Sequence, residues 1–446
     1  MEFEMEFETA LGCYEAREYD RAIAICETLL AQQPQRLDVL NLLGGIAFKR
    51  QEWSRAIAYY QALLRHHPHC ATGYANLGRT WQQIERLEEA QLAYRQAVAL
   101  NQGASQWWFN LGYIYWDLGQ LDEAIACFET VLGLVPDWDE ARSTLSLIRL
   151  LQGDFQRGFA DYEARPSRRD LADNFPRGDL IWQGELLPGK TLLLLAEQGF
   201  GDAIQFVRYV PELAAEGMRV WLRCRPPLLR LFQGVPGCDR LFSTEDPIPP
   251  WDAHALLMSL PHLRQTPPSR LPAQVPYLYL SPHCRPSLPD PKRGRTKVGL
   301  VWSGSPTHRK DGDRSCSLAA VQSWFDCPNI QFYSLQTPVR PEEQAALAAD
   351  ERIIDLAPQI RDFWDTAALM QELDLVISVD TAVIHLAGAL GKPAWVLLAK
   401  IPDWRWGLEG DRSPWYPSVR LFRQSRRGEW QDVILAVQQQ LQEWNA

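Results

Sequence analysis

Between residues 3 and 138 the small and aromatic positions return every 34 residues. Ala22, Ala56, Ala90 and Ala124 share one register. Ala10, Gly44, Gly78 and Gly112 share a second, and Tyr60, Tyr94 and Phe128 stand four residues after successive alanines. Pro34, Pro68 and Pro136 fall in a further register, with Gln102 in the remaining slot. A period of this length predicts stacked helix–turn–helix units. The small residues belong where paired helices approach closely, and the aromatics should fill the groove between neighbours. Each proline ends a second helix because its ring nitrogen has no hydrogen for the preceding turn. Four such units cover 3–138. A degraded fifth, marked by Ser146, Gly158 and Tyr162, caps the array near Arg165.

A polar, proline-bearing linker, 166–188, then gives way to a different pattern. Thr191-Leu-Leu-Leu-Leu-Ala196 is a continuous apolar run, as expected of a strand buried on both faces. It leads through Gly199-Phe-Gly201-Asp202 into a helix predicted from Ala203 to about Glu216. Strands are predicted at Arg219–Arg223, Arg240–Phe242 and Ala255–Met258. A proline-rich connection, 261–295, follows. A second series has strands at Lys297–Trp302, Gln331–Leu335, Leu375–Val379 and Ala394–Leu398, closed by a helix from Trp430 to Trp444. Strands alternating with helices imply parallel sheets. The expected architecture is an α-solenoid at 1–165, a linker at 166–188, and two Rossmann-like halves at 189–290 and 291–446 with a cleft between them. Ligands of such halves bind at the carboxyl ends of the strands.

Composition narrows the function. Hydrophobic residues at 46% and charged residues at 22% fit a globular chain and exclude disorder on this scale. With 45 Lys+Arg against 55 Asp+Glu the net charge is −10, which argues against nucleic-acid binding through phosphate neutralisation. No run approaches the ~20 apolar residues of a membrane helix, and the acidic start MEFEMEFE has no basic region of a signal peptide. Nine cysteines without a CxxC pair make a poor disulfide framework. The expected location is the cytoplasm.

Three segments of the α/β region carry candidate chemistry. In Gly199-Phe-Gly201-Asp202 the glycines let a substrate approach the backbone, and Asp202 reads either as a helix cap or as a general base. Gln198, Gly199, Gly201 and Gln205 are placed on the acceptor side. In Ser378-Val-Asp380-Thr381-Ala382-Val-Ile-His385 a strand passes directly into a helix, whose free N–H groups and positive end suit a diphosphate. Thr381 and His385 share a helical face there. In Ser303-Gly304-Ser305-Pro-Thr-His308-Arg309-Lys310, continuing to Arg314, hydroxyls and cations suit a leaving phosphate. Trp302 and the Pro402-Asp-Trp-Arg-Trp406 loop offer aromatic faces to a base or sugar, or pack in the core. No metal or other cofactor is expected. Asp311-Gly-Asp313 spells a metal-binding DxD but lacks supporting carboxylates, and His66, His67, His69 and Cys70 surround Pro68 without a second ligand set. On the repeats, Trp81, Trp107, Trp108, Tyr113, Tyr115 and Trp116 read as inter-repeat packing or as a concave recognition surface for a protein or peptide.

The repeat period is the tetratricopeptide signature. Residues 190–440 resemble the bacterial heptosyltransferase-like glycosyltransferases of family nine through Glu197–Gln205, Val298–Gly304 and Ser378–Pro393. The combination is also similar to the protein O-GlcNAc transferases, which place repeats before a catalytic domain of the GT-B type. The resemblance implies a GT-B fold and inverting transfer from a nucleotide sugar without an obligatory metal. It implies Asp202 as the base, Asp380, Thr381 and His385 as donor-binding, and Arg314 with Lys310 near the donor phosphates. Ala382 stands where the family usually has Gly or Ser. The acceptor is expected on a protein recruited by the repeats. The alternatives are a saccharide or lipid-linked acceptor, or a catalytically silent repeat scaffold.

Overall fold

Helices α1 (Glu2–Glu15) and α2 (Tyr19–Gln32) form the first hairpin of the array. They are followed by α3 (Leu37–Lys49), α4 (Trp53–His66), α5 (Ala71–Gln83), α6 (Leu87–Leu100), α7 (Ser105–Asp117) and α8 (Leu121–Leu134), then by α9 (Asp139–Leu151) and α10 (Phe155–Tyr162). The computed structural model describes residues 2–168, 180–266, 274–280, 288–289 and 294–444. The chain divides into two compact units, Met1–Ile148 and Arg149–Ala446. Among the described residues no helix is long and apolar enough to cross a membrane.

The repeat glycines exist to seat the aromatics. A Cβ on Gly44 would lie 2.5 Å from the Tyr60 ring, one on Gly78 3.0 Å from Tyr94, and one on Gly112 2.9 Å from Phe128. Each ring therefore lies on the glycine of its own hairpin rather than only in the groove between neighbours. It also reaches onward: Asn110 of the next hairpin donates to the Tyr94 hydroxyl at 3.3 Å. Helices α2, α4 and α8 stop two residues before Pro34, Pro68 and Pro136. Trp81, Trp107, Trp108 and Tyr115 pack against the buried cluster of Leu87, Tyr94, Leu111 and Ile114, the packing alternative of the two readings.

In the second unit β1 (Thr191–Leu195), β2 (Arg219–Cys224), β3 (Cys238–Ser243) and β4 (Ala253–Leu256) form one parallel sheet in the order β3-β2-β1-β4. A second parallel sheet holds β5 (Thr296–Val301), β6 (Ile330–Ser334), β7 (Ile353–Asp355), β8 (Leu375–Val379), β9 (Ala394–Leu398) and β10 (Val419–Arg423). Its order is β10-β9-β8-β5-β6-β7. Strands β1, β8 and β9 are buried along their whole length, which is why they read as apolar runs without alternation; β6 is equally buried but carries Gln331 and Ser334.

Three differences from the sequence reading have physical reasons. The helix expected from 203 to 216 is two short helices, Phe200–Phe206 and Val210–Ala215, joined by a 3₁₀ turn, because Pro211 cannot continue the first. Strands β7 and β10 were not predicted. β7 has three residues, and β10 is an edge strand whose Arg420 and Arg423 break the apolar pattern. Helices α9 and α10 take the hairpin form expected of the degraded fifth repeat, and residues 149–165 belong by contacts to the second compact unit. Finally, the linker and connection are partly structured. Ile181 pairs with His254, and the Trp182 N–H donates to the His254 carbonyl at 2.9 Å, so this stretch runs beside β4. Residues 169–179 of the linker, and 267–273, 281–287 and 290–293 of the connection, lie outside the described residues.

Candidate active site

Each sheet has one place where the strand order reverses, between β1 and β4 in the first and between β5 and β8 in the second. Crevices open at such points, at the carboxyl ends of the strands. The segments singled out above leave these strands: Gln198–Gln205 follows β1, Ser303–Arg314 follows β5, and Asp380–His385 follows β8.

The two halves meet there, helix start against helix start. A Cβ on Gly201 would stand 2.7 Å from His385 Cδ2 and 3.4 Å from Ala382 Cα, so only glycine allows this approach. Tyr277, from the connection, spans the same junction: its N–H donates to the Ala389 carbonyl at 3.0 Å and its hydroxyl to the Ile204 carbonyl at 3.0 Å. Arg208 crosses as well, donating from both terminal nitrogens to the Trp415 carbonyl at 3.2 Å.

Asp202 is the third residue of its helix, not its cap. Its Oδ2 accepts from the Gly199 N–H at 2.7 Å, satisfying one of the helix's free donors. The loop reaches that geometry because Gln198 takes a positive φ of 56°. The other oxygen, Oδ1, accepts from Arg405 Nη2, which comes from the opposite half. Burial is the largest influence on this carboxyl and leaves it above the usual aspartate range, with Arg405 and the Gly199 N–H pulling it back.

Arg405 is the residue that the sequence reading passed over. It lies in the 3₁₀ turn Trp404–Trp406, 6% exposed. Its guanidinium donates through Nε to Gln205 Oε1, through Nη1 to Asp403 Oδ1 at 2.8 Å, and through Nη2 to Asp202. Burial opposes its charge, but Asp403 and Asp202 together hold it firmly protonated.

Across the junction Thr381 caps the Ala382–Ala389 helix, its hydroxyl accepting from the Val383 N–H at 3.3 Å and lying 3.1 Å from Ser378 Oγ. His385, 5% exposed, places Nδ1 3.0 Å from the Tyr416 hydroxyl and Nε2 3.9 Å from Asp380 Oδ1, and its ring stacks on Trp406 at 5.4 Å. Burial, and next the Arg405 charge, push this imidazole down to about 3, so it is neutral at physiological pH. Burial, and next the Asp403 carboxylate, push Asp380 up to about 7. Arg314 donates from Nη1 to the Asp380 carbonyl at 3.2 Å and lies over Gly304, where a Cβ would meet it at 2.7 Å. Ser303 is 2% exposed; Gln336 clamps its backbone N–H and C=O, each at 3.0 Å, and its hydroxyl has no partner among the described residues.

Asp202, Gly201, Asp380, Thr381, Ala382, His385, Gly304 and Arg314 are thus brought to one junction. Other candidates serve elsewhere. Gln205 is fully buried and holds Arg405. The Gln198 side chain accepts from the Tyr162 hydroxyl at 2.9 Å. Gln205 is thereby closed to an acceptor, whereas Gln198 stays exposed. Ser305 pairs with Thr307 at 2.8 Å on the exposed part of its loop, and Lys310 precedes the short turn Asp311–Arg314. Trp302, Trp404 and Trp406 are core residues, 1%, 3% and 1% exposed, not faces open to a ligand. In the DxD sequence Asp311 accepts from Arg340 at 2.5 Å and from Ser315 at 2.7 Å, while Asp313 pairs with Arg427 at 2.9 Å. Both carboxylates are thereby committed to protein partners.

Comparison with known proteins extends the repeats across the boundary between the two compact units. Residues 14–79, 76–139 and 112–167 match tetratricopeptide-repeat models, and residues 336–433 match glycosyltransferase family 9 (heptosyltransferase). The chain is 27% identical to protein FlbA of Caulobacter vibrioides over 489 aligned residues, covering 94% of this chain and 81% of FlbA. Among solved structures it is similar to MamA, with 20% identity over 37% of this chain and 97% of MamA and a TM-score of 0.35. It is also similar to YrrB, a TPR protein with an unusual peptide-binding site, with 18% identity over 39% of this chain and 87% of that one and a TM-score of 0.34. The chain therefore joins tetratricopeptide repeats to a heptosyltransferase-family glycosyltransferase domain.

Proposed function

We propose that the second unit transfers a sugar, with inversion and without a metal, from a nucleoside-diphosphate donor to a hydroxyl of a protein recruited by the repeats. The observation that carries this reading is the apposition of Gly201–Asp202 from one switch point with Ala382–His385 from the other. It supports an acceptor side on the β1 half and a donor side on the β8 half. In the step, the acceptor oxygen bonds to the anomeric carbon as the bond from that carbon to the diphosphate oxygen breaks. Asp202 takes the hydroxyl proton, and the electron pair leaves with the nucleoside diphosphate. Negative charge growing on the leaving group meets the free N–H groups of the Ala382–Ala389 helix and the Arg314 guanidinium. Asp380 would repel a diphosphate as a carboxylate; its raised position near neutrality lessens that repulsion. Commitment of Asp311 and Asp313 to arginines supports the metal-free mechanism. Eight unpaired cysteines among the described residues support work in the cytoplasm, where thiols stay reduced.

The test is product analysis in EDTA. The chain is incubated with UDP-, GDP-, ADP- and dTDP-sugars and a protein extract, and mass spectrometry with anomeric-proton NMR reads the result. A sugar mass on protein with inverted anomeric configuration is expected. A retained configuration, transfer only to saccharide or lipid, or transfer only with added divalent metal would each contradict the corresponding part.

A further inference from the structure

We infer that Arg405, carried by the donor-side half, is the positioning residue of the base carried by the acceptor-side half, so that Asp202 is aligned only when the two halves are apposed. This rests on the reading of Asp202 as the base. Three observations point to it. First, the guanidinium is buried, and its three hydrogen bonds run to both halves: Asp202 and Gln205 on one side, Asp403 on the other. Second, its plane is held from outside the site, with the guanidinium carbon 4.4 Å from the centre of the Trp404 ring and 5.9 Å from that of Phe206. Trp404 is in turn packed edge-on by Phe159 of α10 at 5.5 Å. Third, Asp202 has its Oδ2 fixed by the Gly199 N–H, so the Arg405 bond to Oδ1 removes the remaining rotational freedom of the carboxylate.

A planar, permanently charged fork with donors on three nitrogens suits this task, whereas a lysine offers its donors from a single freely rotating nitrogen. The charged and titratable groups around Asp202 are Arg405 and Asp403 from the opposite half, Glu197 and Arg225 from its own, Tyr162 from α10, and neutral His385 across Gly201. Of these Arg405 exerts the largest pull toward the ionised form. Without it, burial raises the carboxyl further. The acid limb of the rate profile, below which Asp202 is protonated and unable to accept a proton, must then move to higher pH.

The experiment compares wild type, Arg405→Gln, Arg405→Lys and Asp202→Asn, each checked for folding by circular dichroism. The readout is nucleoside-diphosphate release from the donor sugars named above, as a function of pH. For Arg405→Gln, kcat is expected to fall about 10²–10⁴-fold, the range of a positioned base. Donor KM should be little changed and the acid limb should rise by a pH unit or more; Arg405→Lys should recover part of the rate. A substrate-free readout accompanies it. In protein labelled with ¹³C at aspartate carboxyls, the resonance lost in Asp202→Asn should titrate at higher pH in Arg405→Gln. An unmoved midpoint overturns the inference, as does a large rise in donor KM with kcat intact, which would make Arg405 a donor-binding residue. If Asp202→Asn retains turnover, the base reading itself fails; if it is inactive while Arg405→Gln is normal, only the positioning role fails.

Discussion

Asp202→Asn is expected to abolish sugar transfer while leaving donor affinity within about twofold of wild type. Asparagine keeps the shape of the side chain, and its carbonyl oxygen still accepts from the Gly199 N–H, so the helix start survives. It cannot take the acceptor proton at any pH. Loss of a positioned base costs typically ~10²–10⁴ in rate. The donor, by contrast, is assigned to the Ala382–Ala389 helix start and the Ser303–Arg314 loop, whereas the Asp202 carboxylate bonds to the Gly199 N–H and to Arg405. The measurement is kcat together with calorimetric donor affinity on the same preparation. Turnover within a few-fold of wild type removes Asp202 from the base role; affinity lost with turnover instead assigns it to the donor.

The second large effect concerns stability. Arg165, 1% exposed, donates to Glu197 through Nη2 at 2.6 Å and Nε at 3.2 Å, to Glu163 at 2.8 Å and to Ser259 Oγ at 2.8 Å. Glu197, 7% exposed in its side chain, also accepts from the Met258 N–H at 3.3 Å. Arg165→Met removes the cation and leaves a buried carboxylate without its charge partner, for which about 3–5 kcal/mol is typical. In a unit of this size that lowers the melting temperature by roughly 10 °C. Pairing it with Glu197→Gln should recover part of the loss, because the orphaned charge is then gone; the double-mutant cycle isolates the coupling. A shift under about 1 kcal/mol would mean that the cluster relaxes into water instead. The same cluster fixes the residue that precedes Gln198, so it anchors the loop leading to Asp202.

These two residues mark what the sequence made legible and what it did not. The 34-residue register was readable because each hairpin repeats one local solution, a glycine under an aromatic ring. The Gly-Phe-Gly-Asp and Asp-Thr segments were readable because each follows an apolar strand directly and opens a helix. Arg405 was not, because its meaning lies in a partner 203 residues away and in another sheet's switch point. The available signal was an arginine flanked by tryptophans in Pro402–Trp406, a composition that costs too much to bury without a carboxylate to meet it. Arg165 was read only as the end of the repeats, since nothing local announces that Glu197 would close over it. Gln205 was misplaced for the reverse reason: a polar side chain beside a glycine turn looks exposed until Arg405 of the opposite half is set against it. Strand β10 was hidden by edge arginines that reach out of the sheet, Arg420 toward Asp411 at 3.6 Å and Arg423 to the Gly410 carbonyl at 3.0 Å.

A nucleoside-diphosphate sugar is proposed to bind, without metal, where the Ala382–Ala389 helix begins. Isothermal titration calorimetry of the full chain in EDTA, against UDP, GDP, ADP, dTDP and their sugars, tests it most directly. Selective, saturable binding of one nucleoside diphosphate is predicted, weakened at least tenfold by His385→Ala and unchanged by Asp202→Asn. Binding that appears only with a divalent cation, or that His385→Ala leaves untouched, would contradict the account.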